Sequence, residues 1–358
     1  MNTVITSIEQ VTVEWLTAVL TQSGVLTQGQ VASFVADAGR GNWSTNAKLR
    51  LKYTKEAQGE LPRRLFLKLV NTDLGDGETF IPSEVPYYTR DYIDVLNVPL
   101  IPCYDAVNSD ALQRYHILLK DVSETHTDAA EIVPTLTYGL TLAEGLAAMH
   151  AHWWGAQRLA EVGAKIHNSR HIRNFVTIAE PGMGHILNHA ASELEPHWPD
   201  VMQTLFARHP RALIERTQND NGFTLIHGDT NQFNIMVPRE GDGPIYLIDR
   251  QPFNWSLTSW LGAYDLAYTM VLDWEVAARR QYEIPVLKRY YACLVEHGVA
   301  HYSWERLFDD YRLCVAVCIY IATEYCRGGV NKRWFPVWLQ MLQRSLTACD
   351  DLNCHELW

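Results

Sequence analysis

The stretch Leu225-Ile226-His227-Gly228-Asp229-Thr230-Asn231-Gln232-Phe233-Asn234-Ile235-Met236-Val237 crowds polar side chains into a short loop that runs straight into a strand. The strand-forming NIMV is followed, past a turn at Gly241-Asp242-Gly243, by IYLID, and this spacing predicts a β-hairpin. Antiparallel pairing brings the two ends of a hairpin together, so Asn234 at its start and Asp249 at its finish become neighbours. Asp229 sits on the same loop. An amide oxygen and two carboxylates converging this way suit a hard cation such as magnesium, which takes oxygen ligands, keeps waters and is shared with substrate phosphates. Phosphoryl transfer follows from such a set, because the protein then mainly positions reactants and neutralises charge while a carboxylate accepts the proton of the attacking hydroxyl. The plainer role of these residues is loop capping, which Asp and Asn also perform.

Upstream, the pattern is that of strands. VASFVADAG is followed by AKLRLKYT, in which Ala47, Leu49, Leu51 and Tyr53 alternate with Lys48, Arg50 and Lys52. Gly39-Arg40-Gly41-Asn42-Trp43-Ser44-Thr45 between them supplies the glycines and hydroxyls of a turn. A third strand, RLFLKLV, buries Lys68 in an apolar run, so its ammonium needs an anionic partner. The segment SEVPYYTRDYIDVL reads as a helix from Pro86 with Ser83 or Glu84 near its start. VPLIPCYDAV and RYHILLKDVS then read as two more strands. Beyond residue 122 the period changes to that of helices, with Leu142, Leu146, Met149 and Trp153 on one face. Further apolar helical stretches run from Tyr264 to Leu272, Ile284 to Val295 and Leu307 to Tyr325.

Composition narrows the partners. A formal net charge of −11, without basic runs, argues against a nucleic-acid backbone, which needs clustered Lys and Arg. The N-terminal MNTVITSIEQ lacks a basic and then apolar leader, which predicts a cytoplasmic protein. The longest apolar stretch, Leu313 to Ala322, is about half the roughly 20 residues that cross a bilayer, so it reads as a buried helix. Seven cysteines, six of them after residue 290, do not look like a secreted disulfide framework and predict reduced thiols. Neither Cys314 with Cys318 nor Cys349, Cys354 and His355 has zinc-ligand spacing.

HGD-x4-N followed after a hairpin by Ile248-Asp249 resembles the aminoglycoside phosphotransferase and choline kinase superfamily, distant relatives of the eukaryotic protein kinases. The resemblance covers most of the chain. It implies an α+β, bilobal, protein-kinase-like fold: a small five-stranded antiparallel sheet plus helix over 1–121, which binds nucleotide, and a larger, mainly helical lobe over 122–358, which carries the catalytic hairpin and the acceptor. It further implies that Asp229 is the catalytic base and that Asn234 and Asp249 hold magnesium. Lys68 resembles the nucleotide-phosphate lysine, Glu84 the acid that holds it, and the turn with Gly39, Gly41, Ser44 and Thr45 the phosphate-covering loop. Ile117-Leu118-Leu119-Lys120-Asp121 looks like the hinge that receives adenine, with Leu119 and Asp121 as contacts. The IDRQ at 248–251 and the HAHWW helix look closest to the ecdysteroid-kinase-like and related bacterial phosphotransferases. Arg250 departs from the aromatic residue usual after the metal-binding Asp.

Around this centre His227 reads as an internal strut, Asp265 as a support for the catalytic loop or a helix cap, and Asn231 as a brace. The tryptophans read mostly as core, with a pocket for a ring-bearing acceptor as the other reading. Asp309 and Asp310 read as a solvated helix face, with contact to a cationic acceptor as the other reading. The implied activity is transfer of the γ-phosphoryl of ATP or GTP, with magnesium, to a hydroxyl of a small metabolite or natural product. The rival readings are an aminoglycoside-type antibiotic kinase and a nucleotide-binding pseudokinase that serves as an interaction module.

Overall fold

The computed structural model describes residues 3–41, 44–75, 80–162, 167–253, 255–331 and 333–358. Five antiparallel strands form the main sheet in the order Val31–Arg40, Ser44–Tyr53, Arg64–Asn71, Arg114–Lys120, Cys103–Ser109. The alternation read from the sequence sets its faces: Ala47, Leu49 and Leu51 are buried while Lys48, Arg50 and Lys52 are exposed. Leu65, Leu67 and Leu69 join the same face, where they meet Leu16, Val19 and Leu20 of a helix at Val13–Gln22. That helix was not among the expected elements, although Thr12 caps it by accepting the Trp15 N–H at 3.1 Å. Because side chains alternate along a strand, Lys68 and Val70 point to the opposite face. There Val70, Tyr115, Ile117 and Leu119 form a second apolar cluster, with Met236, Tyr246 and Ile248 of the later hairpin packed against it.

The architecture is mixed α+β, with more small sheets than the sequence predicted. The hairpin strands Ile235–Pro238 and Tyr246–Leu247 gain a third partner, His126–Asp128. Two further ribbons pair Phe223–Leu225 with Ser259–Leu261, and Leu26–Gln28 with Gln58–Gly59. The helix expected from Pro86 is also shorter. It comprises one α-turn, Glu84–Pro86, and a wider π-turn, Tyr87–Asp91. Tyr87 and Tyr92 are both buried with ring centroids 5.2 Å apart, and a five-residue spacing on one face is what an i→i+5 turn accommodates.

The remaining chain is dominated by helices, including Leu136–His152, Ser169–His189, Trp198–Arg216, Val276–Glu296, Trp304–Glu324 and Phe335–Asp351. Trp304–Glu324 lies at the centre, and Cys314, Val315, Ala316, Val317, Cys318 and Ile319 within it are fully buried. A helix apolar on all sides must be covered on all sides. The solvated-face reading of Asp310 is therefore corrected. Its carboxylate is buried and accepts from Arg216 Nε at 2.5 Å, Arg216 Nη2 at 2.7 Å and the Tyr302 hydroxyl at 2.8 Å. Asp309, one position earlier, is half-buried and 3.3 Å from Arg312. Trp153, Trp260 and Trp338 are core, whereas Trp334 is 43% exposed. The seven cysteines are free. Among the described residues no helix is long and apolar enough to cross a membrane.

Ser169–His189 presses on the central helix so closely that a Cβ on Gly182 would stand 1.8 Å from the Thr323 carbonyl oxygen. Gly182→Ala must push two helix backbones apart, and overpacking of this kind costs about 1–3 kcal/mol. The expected outcome is a lower urea midpoint at unchanged m-value.

Candidate active site

The loop that carries Asp229 is built on a glycine. Gly228 has φ +82°, and a Cβ there would lie 2.7 Å from the Leu257 carbonyl oxygen, so both its conformation and its surroundings require the absence of a side chain. Beneath it, the fully buried Asp265 accepts the N–H groups of His227 at 2.8 Å and Gly228 at 2.9 Å, while its carbonyl accepts the Thr230 hydroxyl at 2.7 Å. His150 donates to the same carboxylate from Nε2 at 3.1 Å. Burial would push the Asp265 carboxyl up, but the His150 hydrogen bond and charge, with His227 and the Gly228 N–H, hold it below the usual carboxylate range. Asp265 thus supports the loop by holding its backbone. His227 is a strut: Nδ1 accepts the Asp229 N–H at 3.3 Å and Nε2 donates to the Ile248 carbonyl at 2.9 Å. Burial pushes its imidazole down to about 4, so it is neutral near pH 7.

The hairpin then does what its spacing predicted. Ile235 pairs with Leu247 and Met236 with Tyr246, and the Ile248 N–H donates to the Asn234 carbonyl at 3.0 Å, which places Asn234 and Asp249 side by side. Asn234 Nδ2 donates to the Asp229 carbonyl oxygen at 2.9 Å and to its Oδ2 at 3.0 Å, while Asn231 Nδ2 donates to Oδ1 at 2.9 Å. With its NH2 committed to Asp229, the Asn234 side chain has Oδ1 as its remaining acceptor. Asp249 adopts φ +58°, a left-handed conformation uncommon outside glycine, and its side chain is half-exposed.

Lys68 reaches across from the sheet. Its ammonium lies 2.7 Å from Glu84 Oε2 and 2.6 Å from Asp249 Oδ1. Burial would pull its pKa down, but the charges of Glu84 and Asp249 outweigh it and raise the amine above its ordinary value. Glu84 is itself buried and accepts the Tyr115 hydroxyl at 2.6 Å. Burial pushes the Asp229 carboxyl up to about 6, assisted by the charge of Asp249 and opposed by the hydrogen bonds from Asn231, Tyr268 and Asn234. Asp273, whose Oδ2 accepts the Gln232 N–H at 2.8 Å, is pushed up to about 8 by burial, with Asp229 adding to it. Asp273, Tyr268 and Tyr115 were not singled out in the sequence, since they lie in or at the end of apolar runs that read as core, and His150 was noted only as part of HAHWW.

The other positions are placed as follows. Gly39 and Arg40 end one strand and Ser44 and Thr45 begin the next, with the Gly41 N–H on the Ser44 carbonyl at 2.9 Å. Asn42 and Trp43 of that turn lie outside the described residues. A cleft of about 490 Å³ opens at this tip, lined by Arg40, Gly41, Ser44, Thr45, Asn71 and Arg114 among others. Leu119 lies in the sheet, paired with Phe66 and Cys103. Asp121 is engaged within the protein: its N–H donates to the Arg64 carbonyl at 3.1 Å, and its carboxylate accepts from Ser123 N at 2.9 Å and Arg64 Nη2 at 3.1 Å. Among the described residues no three His, Cys, Asp or Glu side chains gather into a metal cage. The amide oxygen of Asn234 and the carboxylate of Asp249 instead form a sparse, all-oxygen set, which fits magnesium because that ion keeps its waters and is held by few protein ligands.

No protein-family model matches the chain, and no curated protein matches it in sequence. Its three-dimensional form is nevertheless similar to choline kinase from Cryptosporidium parvum Iowa II, at 7% identity over 95% of this chain and 97% of that one, with a TM-score of 0.57. It is similar to a glucosamine kinase in complex with glucosamine, ADP and inorganic phosphate, at 14% identity over 94% and 82%, with a TM-score of 0.53. The GDP complex of aminoglycoside 2'-phosphotransferase-IIIa follows at 12% identity over 94% and 98%, with a TM-score of 0.50. Identities this low speak to the fold alone, and that fold is one the chain shares with these kinases.

Proposed function

We propose that the chain is a magnesium-dependent small-molecule kinase that transfers the γ-phosphoryl of ATP, or of GTP, to an alcohol. The observation that carries this reading is the junction of sheet and hairpin: Asp249 meets Lys68 at 2.6 Å on one side, while one strand away Asn234 is hydrogen-bonded to Asp229. On this reading the chain divides into a nucleotide lobe, 1–121, and a catalytic and acceptor lobe, 122–358. Lys68, steadied by Glu84, holds nucleotide phosphate, the turn with Gly39, Gly41, Ser44 and Thr45 covers it, and the segment Leu119 to Asp121 borders the adenine. Asn234 and Asp249 would hold magnesium, which would neutralise charge on the phosphate oxygens. Asp229 accepts the proton of the acceptor hydroxyl as its oxygen bonds to the γ-phosphorus; the bond to the β–γ bridging oxygen breaks and the nucleoside diphosphate leaves.

On the acceptor side, Tyr325 is 40% exposed, senses the charges of Asp229, Glu324 and Asp273, and has its ring 6.4 Å from that of the exposed Trp334. Phe233, 61% exposed, stands on the catalytic loop itself. An aromatic rim beside the base suits an acceptor with an apolar or ring-bearing face, a metabolite or natural product met in the cytoplasm. An antibiotic acceptor is the variant of this reading that a resistance assay in a susceptible host separates from it.

An ADP-release screen over hydroxylated compounds, with mass spectrometry to locate the new phosphate, tests the proposal directly; nucleotide binding without product across the panel would favour the pseudokinase. With an acceptor in hand, Asp229→Asn should lower turnover by roughly 10²- to 10⁴-fold while leaving nucleotide binding largely intact. In the unmodified enzyme kcat/KM should rise with pH through about 6, as the Asp229 carboxyl loses its proton.

The same shift has a stability consequence. A carboxyl raised in the folded state stabilises the fold fully only below its unfolded pKa, and that contribution is lost as pH climbs through about 6. Asp229→Asn should therefore melt higher than the unmodified protein at pH 7, with the difference vanishing near pH 4. An equal melting-temperature difference at both pH values would contradict it.

A further inference from the structure

Arg250, which stands where the superfamily's pattern has an aromatic residue, is buried, with a relative exposure of 6%. Its side chain leaves Asp249 and runs beneath the segment Glu84–Asp91. Nη1 lies 3.3 Å from Asp91 Oδ2, Nε donates to the Ile226 carbonyl at 3.3 Å, and the guanidinium sits 5.3 Å from the centre of the Tyr87 ring. Asp91 is 1% exposed and also meets Arg90 at 2.7 Å. Its carbonyl accepts the Trp153 indole N–H at 2.9 Å, which fixes that end of the segment to the helix Leu136–His152. The backbone repeats the connection, since the Ser83 hydroxyl donates to the Arg250 carbonyl at 3.2 Å and the Ile81 N–H to the Pro252 carbonyl at 2.8 Å.

These contacts close a ring. Lys68 joins Glu84 to Asp249 on the open side, while Asp91 and Arg250, at the far end of the same helical segment and at the residue after Asp249, join the two elements on the buried side. We propose that Arg250 is a positioning residue: by binding Asp91 beneath the Glu84 segment it holds Asp249 in the left-handed conformation that aims its carboxylate at magnesium and at Lys68. This rests on the kinase reading above. A buried guanidinium is retained only where its partners are in place, so the Asp249 turn and the Glu84 segment keep their relative position together or lose it together. An aromatic residue at position 250 would fill the same space without binding Asp91. Arginine makes the placement of the metal ligand depend on a specific ion pair.

Two binding measurements that need no acceptor test the assignment on the full chain: the magnesium concentration that gives half of the melting-temperature rise at saturating ATP, and the affinity for ATP in EDTA. In Arg250→Met the magnesium requirement should rise by about 10- to 100-fold, as loss of a group that orients a metal ligand does, while metal-free ATP affinity stays within about twofold. Asp91→Asn should move the same quantity in the same direction, and the double variant should be no worse than Arg250→Met alone, because each removes the same contact. Arg250→Lys, which keeps the charge without the planar fork, should fall between. An unchanged magnesium requirement in Arg250→Met, or additive effects in the double variant, overturns the proposal. Should Arg250→Met fail to fold, an unchanged requirement in both Arg250→Lys and Asp91→Asn overturns it equally. If the unmodified chain shows no melting rise with magnesium and ATP, the kinase reading itself falls, and this inference with it.

Discussion

The contact on which the rest of the site depends is the Lys68 ammonium between Glu84 and Asp249, because it ties three separate elements together at one charged point. Lys68 comes from the middle of the five-stranded sheet, Glu84 from the first turn after it, and Asp249 from the end of a hairpin far along the chain. A lysine facing inward from a central strand needs anionic partners, and two carboxylates at 2.6 and 2.7 Å satisfy it with charge to spare. On the proposed reading Asp249 turns from the ammonium to magnesium, while Glu84, backed by the Tyr115 hydroxyl, keeps Lys68 paired.

What was legible in the sequence was legible for local reasons. The alternation in AKLRLKYT fixes which face of the strand is wet, and the hairpin register follows from the spacing of NIMV and IYLID; both survive in the structure because period-2 patterns and short turns depend on neighbours only. The convergence of Asn234, Asp229 and Asp249 was derivable for the same reason. Asp265 was identified as a support, but its function of binding two successive N–H groups depends on a backbone conformation at Gly228 that no pattern displays.

What was illegible depended on distance. Asp310 sits next to Asp309 in a sequence that reads as a polar helix face, yet it is buried because Arg216 arrives from another helix to meet it. Arg250 stood out in the sequence only as a departure from a pattern, and nothing there pointed to Asp91 as its partner in space. The family resemblance implied Asp121 as a hinge contact, and nothing local showed that its N–H and carboxylate would also engage Arg64 and Ser123. Nor is the segment Glu84–Asp91 the long helix its composition predicted, because burying both Tyr87 and Tyr92 on one side widens the turn.

The electrostatics of the centre explain why such a loop is braced so heavily. Asp229 lies close enough to feel the charge of Asp249 and to raise Asp273, and Lys68 is committed to the edge of that group. Burial of carboxylates with little compensating charge raises their pKa values, which is the direction found at Asp229 and Asp273. Left to relax, such groups would turn to solvent. The N–H donors of His227, Gly228 and Gln232 and the amides of Asn231 and Asn234 prevent it, since each ties a carboxylate or the loop that carries it to a fixed direction. The chain therefore holds an unfavourable concentration of negative charge by spending hydrogen bonds from a rigid backbone. On the proposed reading that concentration is the useful quantity, because a divalent cation accompanying a nucleotide relieves it, and whatever binds the folded state alone stabilises it by mass action.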